Sequence, residues 1–205
     1  MNSLQVAVDF IEGKISVDEF MKQVEDSNVL DSLQDLIPKD ATRCRQKIID
    51  GQIIIEVVPY NVKEILLEFY ALGTLDAKIN IFAEVRDVLL SAGIRININD
   101  ALIEKFRFIL VNTPSYIGGA EAEMVLEKIY DQMGIKKIKD FKESVRQKFT
   151  MQCKPPKWIQ EPDWPVDEEG NPMQFISEKW MSKEEKEYYF KRLNAEQMIT
   201  IKQSF

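Results

Sequence analysis

The sequence predicts an α+β protein: a mainly helical bundle over residues 1–152, with a small antiparallel β-sheet over residues 153–205 packed on it. Three observations predict it. Apolar residues recur at helical spacing between cap and stop signals through the first 150 positions. All three tryptophans (Trp158, Trp164, Trp180) and five of the eight prolines then crowd into residues 155–180, where prolines that fix φ and lack a donor forbid a continuous helix. Beyond them, aromatic and β-branched runs flank turn residues, the pattern of short strands.

The first helix carries Leu4, Val8 and Ile11 on one face and is closed by Gly13. Ser16-Val-Asp-Glu19 is a capping box, in which the serine hydroxyl and the glutamate each satisfy an orphan N–H, so a helix follows with Val17, Phe20, Met21 and Val24 inward. Ser27 or Asn28 caps a third helix through Leu30, Leu33 and Leu36, stopped before Pro38. Residues 39–60 read as a helix–turn or extended connector: Thr42 to Ile49 could be helical, whereas Gln52 to Val58 (QIIIEVV) is β-branched and could be a strand. From Asn61, a second cap-like motif opens a helix with Ile65, Leu66, Phe69 and Leu72 before Gly73. Asp76 to Leu90 follows, with Ile79, Phe82, Ala83, Arg86 and Leu90 in register, ending near Gly93. Asn99 or Asp100 caps the next, which buries Leu102, Ile103, Phe106, Ile109 and Leu110. After a loop from Asn112, Ala120 to Met133 is helical and closed by Gly134, and Asp140 to Phe149 is the last helix. Glu168-Glu-Gly-Asn171 is a turn between Trp164-Pro-Val and Met173-Gln-Phe-Ile. Ser182-Lys-Glu-Glu185 resembles a helix start, but Tyr188 to Leu193 and Gln197 to Gln203, with Asn194 in the turn between, are better strands.

Composition removes whole classes of chemistry. The chain has 205 residues, a formal net charge of −7 and no histidine, which excludes imidazole acid/base catalysis, Ser-His and Cys-His nucleophiles, and imidazole-bound metals. Its two cysteines, Cys44 and Cys153, form no CxxC motif and read as reduced cytoplasmic thiols. The apolar runs are too short for a membrane span, and the N-terminus lacks the basic region of a secretory signal. The acidic balance argues against direct nucleic-acid binding, which needs clustered cations, and suits a basic protein partner.

Few residues remain that could perform catalysis. Gly118-Gly119 before a helix could leave N–H groups for an anion, but Glu121 and Glu123 occupy that first turn as ordinary dipole complements. Glu25, Asp26, Asp31 and Asp35 read as solvated helix charges. Cys44, between Arg43 and Arg45, has no obvious general base, so it reads as a buried or incidental thiol. Lys136, Lys137, Lys139, Lys142, Arg146 and Lys148 are interrupted by acids and lack interleaved aromatics, as in a solvated helix face. No nucleotide-binding, nucleophile-elbow or metal-loop motif appears, so the expectation is a non-enzyme with no cofactor and no bound metal.

The most unusual segment runs from Trp158 to Glu178. It contains no Lys or Arg and six acids, Glu161, Asp163, Asp167, Glu168, Glu169 and Glu178, interleaved with Trp158, Trp164 and Phe175. Carboxylates around aromatic anchors would steer a basic partner. The plainer alternative is that the tryptophans fill the seam between sheet and helices while the acids are merely solvated. Lys154-Pro-Pro-Lys-Trp-Ile-Gln-Glu-Pro-Asp-Trp-Pro-Val, followed by Gly170-Asn-Pro-Met-Gln-Phe-Ile, resembles the P-x-W-x-Q-x-P-x-W-P-(I/V) and G-x-P-(M/L)-x-F block of immunity-type proteins in bacterial polymorphic toxin and contact-dependent inhibition systems. Phe10-Ile-Glu-Gly-Lys-Ile-Ser-Val-Asp-Glu-Phe and the paired closing strands are similar to the ends of the same proteins; residues 40–150 carry none of the resemblance. The resemblance implies a cytoplasmic protein that neutralises a cognate toxin domain, a basic one such as a nuclease, by tight stoichiometric binding that occludes its active site. It transfers no binding residues. The segment's own chemistry nominates Trp164, Asp163, Asp167, Glu168 and Glu169 as partner-binding. A helical scaffold or regulatory adaptor binding a host protein is the alternative.

Overall fold

A computed structural model describes residues 3–26, 28–49, 52–133, 137–193 and 195–205, the side chains of Ser3, Glu25 and Asp26 excepted. The roles expected of Ser27, Gly134, Lys136, Asn194 and the Glu25 and Asp26 side chains fall outside this description. The class is α+β, as the sequence predicts. Among the described residues the order is α1 (Ser3–Ile11), α2 (Val17–Asp26), α3 (Val29–Gln34), β1 (Thr42–Ile49), β2 (Gln52–Pro59), α4 (Val62–Leu72), α5 (Leu75–Ser91), α6 (Ala101–Asn112), α7 (Ala120–Gln132), α8 (Ile138–Lys148), β3 (Gln174–Trp180), β4 (Glu185–Lys191) and β5 (Met198–Ser204). Packing divides the chain into two compact units, residues 1–72 with 76–103, and residues 73–75 with 104–205. This partition differs from the compositional break at 152/153: α7 and α8 fall with the β-sheet.

In the first unit, Phe10 of α1 stacks on Phe20 of α2 at 4.5 Å and meets Phe82 of α5 edge-on at 5.6 Å. The capping box holds α2 as expected: the Ser16 N–H donates to Glu19 Oε2 at 2.8 Å, and the Glu19 N–H donates to Ser16 Oγ at 3.2 Å. Gly13, at φ 72°, ends α1 in a Schellman turn, with Lys14 N–H to Asp9 O at 2.8 Å and Gly13 N–H to Phe10 O at 3.0 Å. At the start of α4, Asn61 Oδ1 accepts the Glu64 N–H at 3.1 Å, but the Glu64 carboxylate turns to Arg45 at 2.6 Å instead of back to the cap. On α5 the buried face is Lys78, Ile81, Phe82, Val85 and Leu89, and Leu90 is exposed. The expected face through Ile79, Ala83, Arg86 and Leu90 is thus rotated by about one residue. A long helix with apolar residues nearly all round does not settle its own orientation; its neighbours do.

The connector expected at 39–60 is corrected. β1 and β2 form an antiparallel hairpin in continuous register from Thr42↔Pro59 to Ile49↔Gln52. Two signals favour strands: cations at alternate positions 43, 45 and 47, and an Asp50-Gly51 pair in the sequence, which is strongly associated with two-residue hairpin turns. β-Branched density then outweighs any helical tendency of Thr42 to Ile49.

In the second unit, β3, β4 and β5 form a three-stranded antiparallel sheet in sequence order, with a register irregularity between Phe175 and Ser177. The helix-like Ser182-x-x-Glu185 motif instead shapes the β3–β4 connection: Ser182 Oγ accepts the N–H groups of Glu184 (3.1 Å) and Glu185 (3.0 Å). The same serine-to-backbone bond that begins a helix also makes a tight turn. Ala122, Val125, Leu126 and Ile129 of α7 and Phe141 and Val145 of α8 are buried, as are Phe175, Tyr188 and Phe190 of the sheet.

Candidate partner-binding site

The segment before β3 owes its shape to two tryptophans. Trp164 is fully buried; its Nε1–H donates to Met173 O at 2.9 Å. Its ring meets Phe149, just after α8, edge-on at 5.6 Å, and Phe190 of β4 at 5.3 Å. Trp158 lies half-buried over Tyr188 at 4.3 Å, with its Nε1–H on Tyr116 O at 2.9 Å. Both fill the seam between helices and sheet. Trp164 is therefore corrected as a contact residue: a side chain enclosed by aromatics and donating its N–H inward offers no surface to a partner.

The glycine pair has a matching role. A Cβ on Gly118 would lie 3.0 Å from Pro162 Cβ, and one on Gly119 (φ 94°) would lie 2.9 Å from Asp163 Oδ1. These glycines let the 162–164 segment approach closely, and the Trp164 N–H donates to Gly118 O at 2.9 Å. The exposed Asp163 carboxylate thereby stands beside the start of α7, where the helix dipole favours negative charge.

Asp167 is a turn organiser. Its Oδ1 accepts the N–H groups of Asn171 (2.8 Å) and Glu169 (3.0 Å), and Arg192 Nε lies 3.2 Å from its Oδ2. The Asn171 N–H foremost, then the Glu169 N–H and the Arg192 guanidinium, hold this carboxyl below its ordinary 3.8. Arg192 also pairs with Glu169, and Lys186 of β4 pairs with Glu178 at 2.9 Å. Three of the segment's six acids are thus ion-paired within the unit, Asp167 and Glu169 sharing one guanidinium. Glu161, Asp163 and Glu168 are exposed and make no ion pair among the described residues. Asp167, Glu169 and Arg192 line an open cleft of about 920 Å³ with Asn171, Lys148 and Met133. Of the sequence-nominated acids, Asp167 and Glu169 share this cleft, whereas Asp163 stands at the opposite end of α7 beside Gly119.

Sequence reasoning missed the exposed aromatic patch. Trp180, 49% exposed, stacks on Phe205, 79% exposed, at 6.3 Å. Beneath the indole, Lys186 Nζ lies 5.3 Å from the ring and donates to Lys157 O at 2.6 Å. Glu161 is tied to the same end of the sheet, since its carbonyl accepts Gln203 Nε2–H at 2.9 Å. Of the three tryptophans Trp180 alone follows the proline-rich stretch, within a strand where side chains alternate between faces; that was the available signal.

The remaining sequence candidates are dispersed. Cys44 and Cys153 are free, exposed thiols, and burial, then the nearby Glu178, pushes Cys153 above its ordinary value. Exposure of Cys44 removes the expectation that it is buried. Glu123 accepts the Leu75 N–H at 2.6 Å. Among the described residues no group of three His, Cys, Asp or Glu side chains is placed to hold a metal ion. No helix among them is long and apolar enough to cross a membrane.

The chain matches no protein-family model, no curated protein and no solved structure.

Proposed function

We propose that this chain is an immunity-type protein that neutralises a cognate toxin domain by stoichiometric binding, using the exposed carboxylates and the exposed aromatic pair of its second unit. The observation that carries the reading is the fixed display of Glu161, Asp163 and Glu168. They project from a segment without Lys or Arg whose backbone is pinned by buried Trp164 and half-buried Trp158. A pinned backbone lowers the entropy lost when its carboxylates meet a cationic surface, and the negative charge accelerates encounter with it. Trp180 and Phe205 supply the apolar contact that charge alone lacks, since tryptophan is enriched among residues that dominate binding energy. A basic toxin, such as one that grips a polyanion, fits this surface. Such a protein works in the cytoplasm and needs no cofactor.

Co-expression tests the proposal. When the toxin domain encoded beside this chain is produced alone, cells die; with this chain present, they survive. Equal killing in both cultures contradicts it.

A further inference from the structure

The β1–β2 hairpin turns its two arginines toward α4 and leaves a largely β-branched face outward. Strand alternation and the observed register divide it into two faces. One face carries every charge of the two strands: Arg43, Arg45, Lys47 and Glu56. Arg45 pairs with Glu64 of α4 at 2.6 Å, and Arg43 lies 3.5 Å from Glu64 and 3.4 Å from Glu68. The other face presents Cys44, Gln46, Ile48, Ile53, Ile55 and Val57, with no charge at all. Ile48 is 74% exposed, Ile53 64%, Ile55 70% and Val57 68%. A lone two-stranded ribbon is marginal in water, and a contiguous apolar patch on one marks an interaction surface.

We propose that this face joins two copies of the chain, their hairpins stacked face to face about a two-fold axis. Charge selects the occupant. Molecules of net charge −7 can associate only where like charges are not brought together, and this face is uncharged. The two strands carry three cations against one acid, so a basic toxin is disfavoured here. Area agrees: the exposed β-branched side chains with Cys44 and Gln46 offer about 500 Å² per copy, and the total of about 1,000 Å² meets the lower limit for a specific interface. Flat ribbons of β-branched residues are also self-complementary, stacking about 10 Å apart in an isologous contact. The inference is independent of the toxin reading.

Sedimentation equilibrium of the full chain under reducing conditions at about 100 µM, a concentration at which even weak specific contacts form, tests it. The wild type sediments at twice its 23.9 kDa chain mass. The Ile53→Lys/Ile55→Lys variant sediments at the chain mass with an unchanged circular dichroism spectrum. A monomeric wild type overturns the proposal, as does a dimer that survives in the folded variant. If that variant does not fold, spin labels on Lys47→Cys, in a Cys44→Ser/Cys153→Ser background, decide it. Their intermolecular separation is below about 40 Å, given a 10 Å layer spacing and two label arms; no intermolecular coupling overturns the proposal. A monomer whose double-lysine variant loses a toxin domain assigns the face to the toxin, and likewise overturns it.

Discussion

Trp164 and Trp180 are the same residue type sixteen positions apart, yet one is enclosed in the core and the other half-exposed at the surface. Trp164→Ala removes a fully buried indole between Phe149 and Phe190 and costs about 3–5 kcal/mol of stability, measured by urea unfolding. Trp180→Ala should shift the unfolding midpoint little and, under the proposed function, weaken binding of the toxin domain by about 2 kcal/mol, measured by calorimetry. Asp167 adds a pH dependence. Its carboxyl is held below 3.8 in the fold, so its contribution is complete above the unfolded value and is lost as pH falls through the lower folded value. The 167–171 turn therefore opens in acid, reported by the Asn171 amide resonance; Asp167→Asn flattens that response. Legibility at this scale followed exposure. The six acids were visible in the sequence, but Arg192 and Lys186, which pair with three of them, lie outside the segment and reach it only through strand pairing.

Elements whose signals are local were legible. The Ser16–Glu19 capping box and the Gly13 stop depend on neighbours within a few positions, and both form as expected. Ser16→Ala should cost about 1 kcal/mol, read from the shift in urea midpoint. Gly13→Ala should cost more than a usual Gly→Ala change, because φ is +72° and the new Cβ would lie 2.5 Å from Asn99 Nδ2. The β1–β2 hairpin was not read because polar–apolar alternation arises when one face is buried. Ile53, Ile54 and Ile55 run together because neither of the hairpin's faces is enclosed there. Its two arginines turn toward α4 because that helix offers Glu64 and Glu68, a partnership no local window contains.

Across the whole molecule, net charge matters less than where charge remains unpaired. Reversing Glu161 and Glu168 together to Lys should slow association with the proposed toxin partner severalfold and weaken its dependence on salt, measured by stopped flow. Reversing Asp167 and Glu169 instead disturbs the turn and the Arg192 pairs, and so confounds steering with stability. The most direct test of the central claim is a titration of toxin activity with the purified chain. A linear loss is expected, ending at one chain per toxin domain and not deepening with time. Progressive inactivation by a trace of this chain, or full toxin activity at several equivalents, would contradict it.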